Sequence, residues 1–142
     1  MTKVFIVDDH PILCEVVASL LGSDPAFEVV GMASSIHETL AVVEECGPDL
    51  MLIDLSLQDG SGIQLVRALR SRGITARVLI LTGVRSKLVA AEALSIGVAG
   101  YVLKEQSPTD LLTAIDAVVG GGTYIAPSVT PSLPAAPVRF AN

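Results

Sequence analysis

The most constraining feature of this sequence is a fivefold alternation of a short apolar run with a longer amphipathic segment that ends at a glycine. Most of the runs are continuously apolar, which is typical of strands that are buried on both faces. A chain that alternates strands and helices forms a parallel sheet with right-handed crossovers. The pattern therefore predicts an α/β fold, (βα)5, with a doubly wound five-stranded parallel sheet. The predicted strands are residues 4–7, 27–30, 50–53, 78–81 and 99–103.

The amphipathic segments predict five helices with similar ends. In the first, apolar residues recur at helical spacing between Ile12 and Leu21, and Pro11 stands where a first helical turn tolerates proline. Glycine after a helix usually adopts the left-handed conformation that stops it. We expect all five helices to end this way, at Gly22, Gly47, Gly73, Gly97 and Gly120.

Size and composition exclude several classes of protein. A chain of 142 residues fits one domain, and 51% apolar residues can fill its core. A formal net charge of −6 argues against direct nucleic-acid binding by this segment. Cys14 and Cys46 lie in apolar helical patterns, so we expect small buried residues in a reducing compartment rather than a disulfide or metal site. With no signal peptide and no apolar stretch of membrane-spanning length, the sequence predicts a cytoplasmic protein.

Polar residues follow the predicted strands at their carboxyl ends, where ligands bind to open parallel sheets. Asp8 and Asp9 follow the first strand, Asp54 the third and Lys104 the fifth, while Thr82 follows the fourth run directly. Three carboxylates at one edge repel each other unless a cation is present. Mg²⁺ suits this set because it binds a few carboxylates together with water and phosphate oxygens.

The central position of Asp54 predicts a nucleophile that accepts a phosphoryl group as an acyl phosphate. The Lys104 ammonium would contact the phosphoryl oxygens, and Thr82 would offer a hydroxyl donor. Each residue also has a simpler interpretation: a helix N-cap for Asp9, a turn residue for Asp54, a surface charge for Lys104. Their shared position at one strand edge favours the site. His10 and His37 receive no role.

Four motifs together resemble the receiver domain of bacterial response regulators, over residues 1–126. These are Val-Asp-Asp-His-Pro at 7–11, Asp-Leu-Ser-Leu-Gln-Asp-Gly-Ser-Gly at 54–62, Leu-Thr-Gly at 81–83 and Gly-Tyr-Val-Leu-Lys at 100–104. The resemblance implies a flavodoxin-like sheet with strand order 2-1-3-4-5. It also implies that a sensor histidine kinase phosphorylates Asp54.

The resemblance assigns further roles at the site. Asp8, Asp9 and Asp54 would bind Mg²⁺, and the backbone carbonyl of Ser56 would complete the metal shell. On phosphorylation, Thr82 would turn toward the phosphoryl group and Tyr101 would turn inward. The fourth and fifth helices and the strand between them would then present a changed surface, through which a homodimer could form.

Other segments point to the NarL/FixJ (LuxR-class) transcriptional regulators. His10-Pro11, residues 104–108 and residues 120–127 resemble that subfamily, whose members carry a helix-turn-helix domain after a linker. Residues 127–142 are rich in Pro, Ala and Ser, which predicts such a linker or a disordered tail. The DNA-binding domain would be missing from this chain. A natural stand-alone receiver that acts through protein–protein contacts is the alternative.

Two departures from the family pattern concern phosphorylation rate and lifetime. Leu57-Gln58 stands where Met-Pro is common, and Gly83 stands where Ala or Ser often follows the threonine.

A rival class, the haloacid-dehalogenase type of Mg²⁺-dependent aspartyl phosphatase, requires a second aspartate at the position of Ser56. A nucleotide-binding module is disfavoured because no glycine-rich phosphate cradle follows the first strand.

Overall fold

The computed structural model describes residues 1–130 as alternating strands and helices. The helices are α1 (Pro11–Gly22), α2 (Ile36–Cys46), α3 (Gly62–Ser71), α4 (Lys87–Ser95) and α5 (Pro108–Val119), with a short 3-10 helix at Pro127–Val129. The strands are β1 (Thr2–Val7), β2 (Phe27–Ala33), β3 (Leu50–Ile53), β4 (Ser56–Leu57), β5 (Gly60–Ser61), β6 (Arg77–Thr82), β7 (Gly100–Leu103) and β8 (Tyr124–Ile125).

The main sheet confirms the predicted fold. Its strands run in the order β2-β1-β3-β6-β7-β8, and every neighbouring pair is parallel. The first five correspond to the predicted order 2-1-3-4-5. Each crossover between them contains a helix, so the carboxyl ends of these strands meet at one edge.

The sheet divides the hydrophobic interior into two compartments, because successive side chains of a strand point to opposite faces. On β1, Val4 and Ile6 pack with α1 and α5, whereas Phe5 and Val7 pack with α2, α3 and α4. Residues 50–53 are all buried, as expected for a strand that is covered on both faces. These two parts of the interior are the α1/α5 compartment and the α2/α3/α4 compartment.

The helix ends follow the predicted rule only in part. Gly47, Gly73 and Gly97 have positive φ angles after their helices, as predicted. The prediction is wrong for Gly22, which is the last residue of α1, and for Gly120, whose φ is −74°. After α5, which ends at Val119, the left-handed conformation falls one residue later than predicted, at Gly121.

Four short elements within residues 1–130 were not predicted. β8 extends the sheet by a sixth strand beside β7, and β4 and β5 form a small antiparallel hairpin between β3 and α3. The 3-10 helix buries Val129 completely, so packed structure continues past the predicted boundary at residue 126. The predicted linker or tail, residues 127–142, stays a prediction, since residues 131–142 lie outside the described part of the chain.

The two cysteines are both free thiols. Cys14 is buried as predicted, and burial together with the nearby Asp8 carboxylate raises the pKa of its thiol. Cys46 is only half-buried. Within residues 1–130, no helix is both long and apolar enough to cross a membrane.

Candidate functional site

The sheet brings three of the strand ends that carry predicted site residues to one place. Asp8 follows β1, Asp54 follows β3 and Lys104 follows β7. Each of these residues still donates its backbone N–H to a carbonyl of a neighbouring strand, at 3.0, 2.9 and 2.8 Å respectively. The backbone hydrogen bonds of the sheet therefore continue one residue past the end of each strand, and they hold the backbone from which each side chain extends.

Asp54 is the most buried carboxylate of the group, with a relative exposure of 2%. Its Oδ2 lies 2.9 Å from Nζ of Lys104, and its Oδ1 accepts a hydrogen bond of 3.3 Å from the backbone N–H of Ser56. The Lys104 ammonium also contacts Asp8, with 3.1 Å between Nζ and Oδ2. One cation thus bridges two buried carboxylates that come from separate strands.

The environment favours the charged form of Lys104. Burial alone would lower the pKa of its ammonium group, but hydrogen bonds to Asp54 and Asp8 and the charges of these carboxylates outweigh burial and raise it. The lysine therefore stays protonated throughout the neutral range. A permanently charged donor at this position can hold anionic oxygen atoms.

His10, to which the sequence assigned no role, also lies in the site. Its backbone N–H donates to Asp8 Oδ1 at 2.8 Å, in an Asx-type turn that directs the ring back over the acidic pair. Nδ1 of the ring is 2.8 Å from Asp8 Oδ1, 3.0 Å from Asp9 Oδ1 and 3.7 Å from Asp54 Oδ2. The ring is otherwise exposed.

Asp8, Asp9, His10 and Asp54 each direct one ligand atom to a common point, and these atoms all lie within 4.8 Å of one another. Two carboxylates at that separation repel by roughly 3 kcal/mol at an effective dielectric constant of about 20. Oδ1 of Asp9 is buried and has no hydrogen-bond partner among residues 1–130, although Nδ1 of His10 lies 3.0 Å away. A buried unpaired oxygen and a surplus of negative charge both fit a hard divalent cation.

The predicted switch residues lie beside this cluster and contact a different segment. Thr82 is buried, and its Oγ1 accepts a hydrogen bond of 3.2 Å from the backbone N–H of Val84. The Tyr101 ring is completely buried, and its hydroxyl donates to the carbonyl of Val84. Burial raises the pKa of this phenol to about 12. The inward position that the resemblance assigns to Tyr101 after phosphorylation is therefore already adopted.

The backbone of Asp54 is closely covered by the start of α3. A Cβ atom added to Gly62 would overlap the carbonyl oxygen of Asp54 and lie 3.0 Å from Cγ2 of Ile53. Any residue other than glycine would therefore push the strand end away. At Gly83, by contrast, an added Cβ would meet no atom of residues 1–130 within 4 Å.

Comparison with protein-family models matches residues 4–116 to the response regulator receiver domain. This chain belongs to the response regulator receiver domain family. The match covers all four predicted motifs, so the resemblance inferred from the sequence is confirmed. The chain also resembles LuxR-class response regulators in both sequence and structure.

Among curated proteins, the DNA-binding transcriptional activator DevR/DosR of Mycobacterium tuberculosis is 40% identical over 125 residues. The alignment covers 88% of this chain and 58% of that protein. The nitrate/nitrite response regulator NarL of Escherichia coli is 31% identical, with coverage of 93% and 61%. The chain thus spans about three fifths of the length of these relatives.

Solved structures agree with the sequence relatives. A LuxR-family two-component response regulator from Aurantimonas sp. SI85-9A1 superposes with a TM-score of 0.85 at 32% identity, covering 91% of this chain and 92% of that one. The isolated receiver domain of RcsB from Salmonella enterica, determined with the phosphomimetic BeF3⁻, gives a TM-score of 0.82 at 26% identity, with coverage of 90% and 95%.

Proposed function

We propose that this receiver domain is a phosphorylation-controlled switch in which Asp54 accepts a phosphoryl group from a sensor histidine kinase. The observation that carries the proposal is the position of the Asp54 carboxylate. It is buried at the strand edge, 2.9 Å from the Lys104 ammonium, and shares a ligand point with Asp8 and Asp9. A carboxylate in this position can attack phosphorus without being screened by bulk water.

In the transfer step, an oxygen of Asp54 forms a bond to phosphorus while the bond between phosphorus and the kinase's histidine nitrogen breaks. The electron pair of the broken bond stays on the imidazole. Lys104, which already contacts Asp54, would stay beside the incoming group and neutralise charge on its oxygen atoms. The hydroxyl of Thr82 accepts from the Val84 amide but keeps its own proton, which it would donate to a phosphoryl oxygen.

Asp8, Asp9 and Asp54, with the backbone carbonyl of Ser56, would hold Mg²⁺. The ion would supply electrostatic stabilisation of the transferring phosphoryl group. The unpaired Oδ1 of Asp9 and the three converging carboxylates support this assignment. His10 would then move aside, because its Nδ1 lies within 3.0 Å of both Asp8 and Asp9.

The output would arise in the loop between β6 and α4. The backbone of Val84 in this loop is hydrogen-bonded to the side chains of both Thr82 and Tyr101. A phosphoryl group that holds the Thr82 side chain in one position would therefore also hold the loop. We infer that phosphorylation stabilises the inward Tyr101 instead of creating it. The surface of α4, β7 and α5 would be held in one conformation and form a homodimer. In the whole cytoplasmic protein, dimerisation would control transcription through a separate DNA-binding domain.

The proposal is tested with beryllofluoride, which forms a phosphoryl mimic on carboxylates. We expect a ¹⁹F NMR signal of bound fluoride in the wild type that requires Mg²⁺, and none in Asp54→Asn. Acetyl phosphate should likewise label the wild type but not Asp54→Ala. Asp116→Asn, which removes an exposed carboxylate of α5, should behave as wild type. A wild type that gives no Mg²⁺-dependent signal, or an Asp54 variant that is still labelled, would refute the proposal.

A further inference from the structure

The loop that follows Asp54 is anchored to a distant helix by one carboxylate. The chain between β3 and α3 folds back on itself as the β4–β5 hairpin, in which Ser56 pairs with Ser61 and Leu57 with Gly60. Asp59 lies at the tip of this hairpin. Its Oδ1 accepts a hydrogen bond of 2.7 Å from the backbone N–H of Ile36, and its Oδ2 accepts one of 3.0 Å from that of His37.

These two amides belong to the first turn of α2, where backbone N–H groups lack partners within the helix. α2 already has a local N-cap, because the Ser35 side chain accepts from the N–H of Glu38 at 3.0 Å. Asp59 therefore satisfies the two amides that the local cap leaves free. A carboxylate at a helix N-terminus is also favoured by the helix dipole, and the two backbone hydrogen bonds lower the pKa of Asp59.

Packing supports the same contact. A Cβ atom added to Gly60, the residue after Asp59, would lie only 2.8 Å from Cδ1 of Ile36, so the hairpin backbone closely approaches the start of α2. Leu57 on the other hairpin strand is buried in the α2/α3/α4 compartment, against which Ile36 also packs. Two-residue strands are too short to be stable alone, so this hairpin depends on its anchor.

The hairpin in turn reaches the phosphoacceptor. The backbone N–H of Ser56, the first residue of β4, donates to Oδ1 of Asp54. We propose that Asp59 is a positioning residue for the phosphoacceptor site: by clamping the hairpin to the N-terminus of α2, it holds the Ser56 backbone against Asp54 and in place for the cation. This inference rests on the proposed function, since it assigns Asp59 to the same site.

The test compares Mg²⁺ affinity and stability in matched variants. Asp59→Ala removes both hydrogen bonds, and Asp59→Asn keeps one acceptor oxygen while removing the charge. Ser35→Ala removes the local cap of the same helix but leaves the hairpin contact intact. Asp49→Asn weakens another carboxylate-to-backbone bond, to the N–H of Lys3, at a different strand. Isothermal titration with MgCl2 gives the dissociation constant, and thermal unfolding without Mg²⁺ gives stability.

We expect Asp59→Ala to weaken Mg²⁺ binding about tenfold, the low end of the loss usual for groups that orient metal ligands. Asp59→Asn should lie between it and the wild type. Ser35→Ala and Asp49→Asn should lower stability but keep the affinity within about twofold of wild type. Hydrogen exchange should become faster at the amides of Ile36 and His37 in Asp59→Ala, which verifies that the clamp has been removed.

The outcomes separate the two proposals. If the wild type binds no Mg²⁺, the proposed function fails. If the wild type binds and Asp59→Ala loses protection at Ile36 and His37 but binds Mg²⁺ equally well, the positioning role is refuted. If Asp59→Ala does not fold, Asp59→Asn decides: unchanged affinity refutes the role, and reduced affinity with near-normal stability supports it.

Discussion

At the scale of single residues, the absence of a side chain is as important to this site as its charged groups. Gly62 lies against the backbone of Asp54 so closely that any Cβ would overlap the carbonyl oxygen of this proposed phosphoacceptor. Gly83 lies at the same edge of the sheet, yet an added Cβ there would meet no atom of the described part of the chain within 4 Å. Steric crowding therefore requires glycine at position 62 but not at position 83, although both residues belong to the sequence motifs.

We predict opposite effects for alanine at these two positions. Gly62→Ala should destabilise the domain by about 1–3 kcal/mol, the usual cost of forcing a methyl group into a packed site, and should also weaken the response to beryllofluoride. Gly83→Ala should be neutral or stabilise by up to about 1 kcal/mol through the unfolded chain. Urea denaturation measures both. Equal losses in the two variants would contradict the assigned crowding.

The convergence of the site residues was predictable, but their detailed contacts were not. Parallel strands necessarily bring Asp8, Asp54 and Lys104 to one edge, whatever the loops do. The position of His10 depends on the turn that its own amide makes with Asp8, and a single histidine gives no signal for such a turn. Likewise, the clamp by Asp59 joins residues that are more than twenty positions apart.

At the scale of elements, β7 connects the site to the rest of the sheet. The Tyr101 hydroxyl donates a hydrogen bond to the Val84 carbonyl in the β6–α4 loop. The Tyr101 backbone carbonyl accepts one from the N–H of Ala126, just after β8. The sequence predicted β7 but not β8, because a two-residue strand is too short to show periodicity. A loop, a strand and the segment after α5 thus all meet at one tyrosine.

Because the Tyr101 phenol is buried, we expect the free energy of unfolding to decrease at alkaline pH. Its pKa is raised to about 12, so between pH 10 and 12 the folded state binds a proton that the unfolded state has lost. This contribution is fully present below pH 10 and disappears as pH rises through 12, a loss of about 2–3 kcal/mol. Tyr101→Phe should be less stable by about 1 kcal/mol at neutral pH because the hydrogen bond to Val84 is lost.

Denaturation series from pH 8 to 12 would measure the effect. The stability advantage of the wild type over Tyr101→Phe should shrink steadily above pH 10. A constant difference between the two proteins across this range would show that the phenol is not buried in solution.

At the scale of the whole molecule, the fold concentrates negative charge at one edge of the sheet in a chain that is already acidic, with a formal net charge of −6. The parallel sheet and its covering helices were predicted from periodicity, because long periodic segments constrain the fold class strongly. The strand order was implied by the resemblance to receiver domains. The composition of residues 127–129, which include Pro and Ser, does not reveal that Val129 is buried.

The charged edge predicts that Mg²⁺ stabilises the entire domain. A ligand at one hundred times its dissociation constant stabilises the folded state by about 2.7 kcal/mol, which raises Tm by roughly 8 °C for a domain of this size. Asp9→Asn should abolish the rise, and Asp116→Asn should keep it. Scanning calorimetry with MgCl2, against NaCl of equal ionic strength, measures the effect. An equal rise in Asp9→Asn would place the cation elsewhere.

The division of the interior by the sheet separates two kinds of evolutionary change. Tyr101, Ala90, Ala93 and the hairpin residue Leu57 all pack in the α2/α3/α4 compartment, so we expect substitutions there to act directly on the proposed switch. The α1/α5 compartment lies on the opposite face of the sheet and contains none of these residues. Helix α1, which the proposed dimer surface does not include, can therefore acquire a new outer surface and new recognition properties while the α2/α3/α4 compartment stays unchanged.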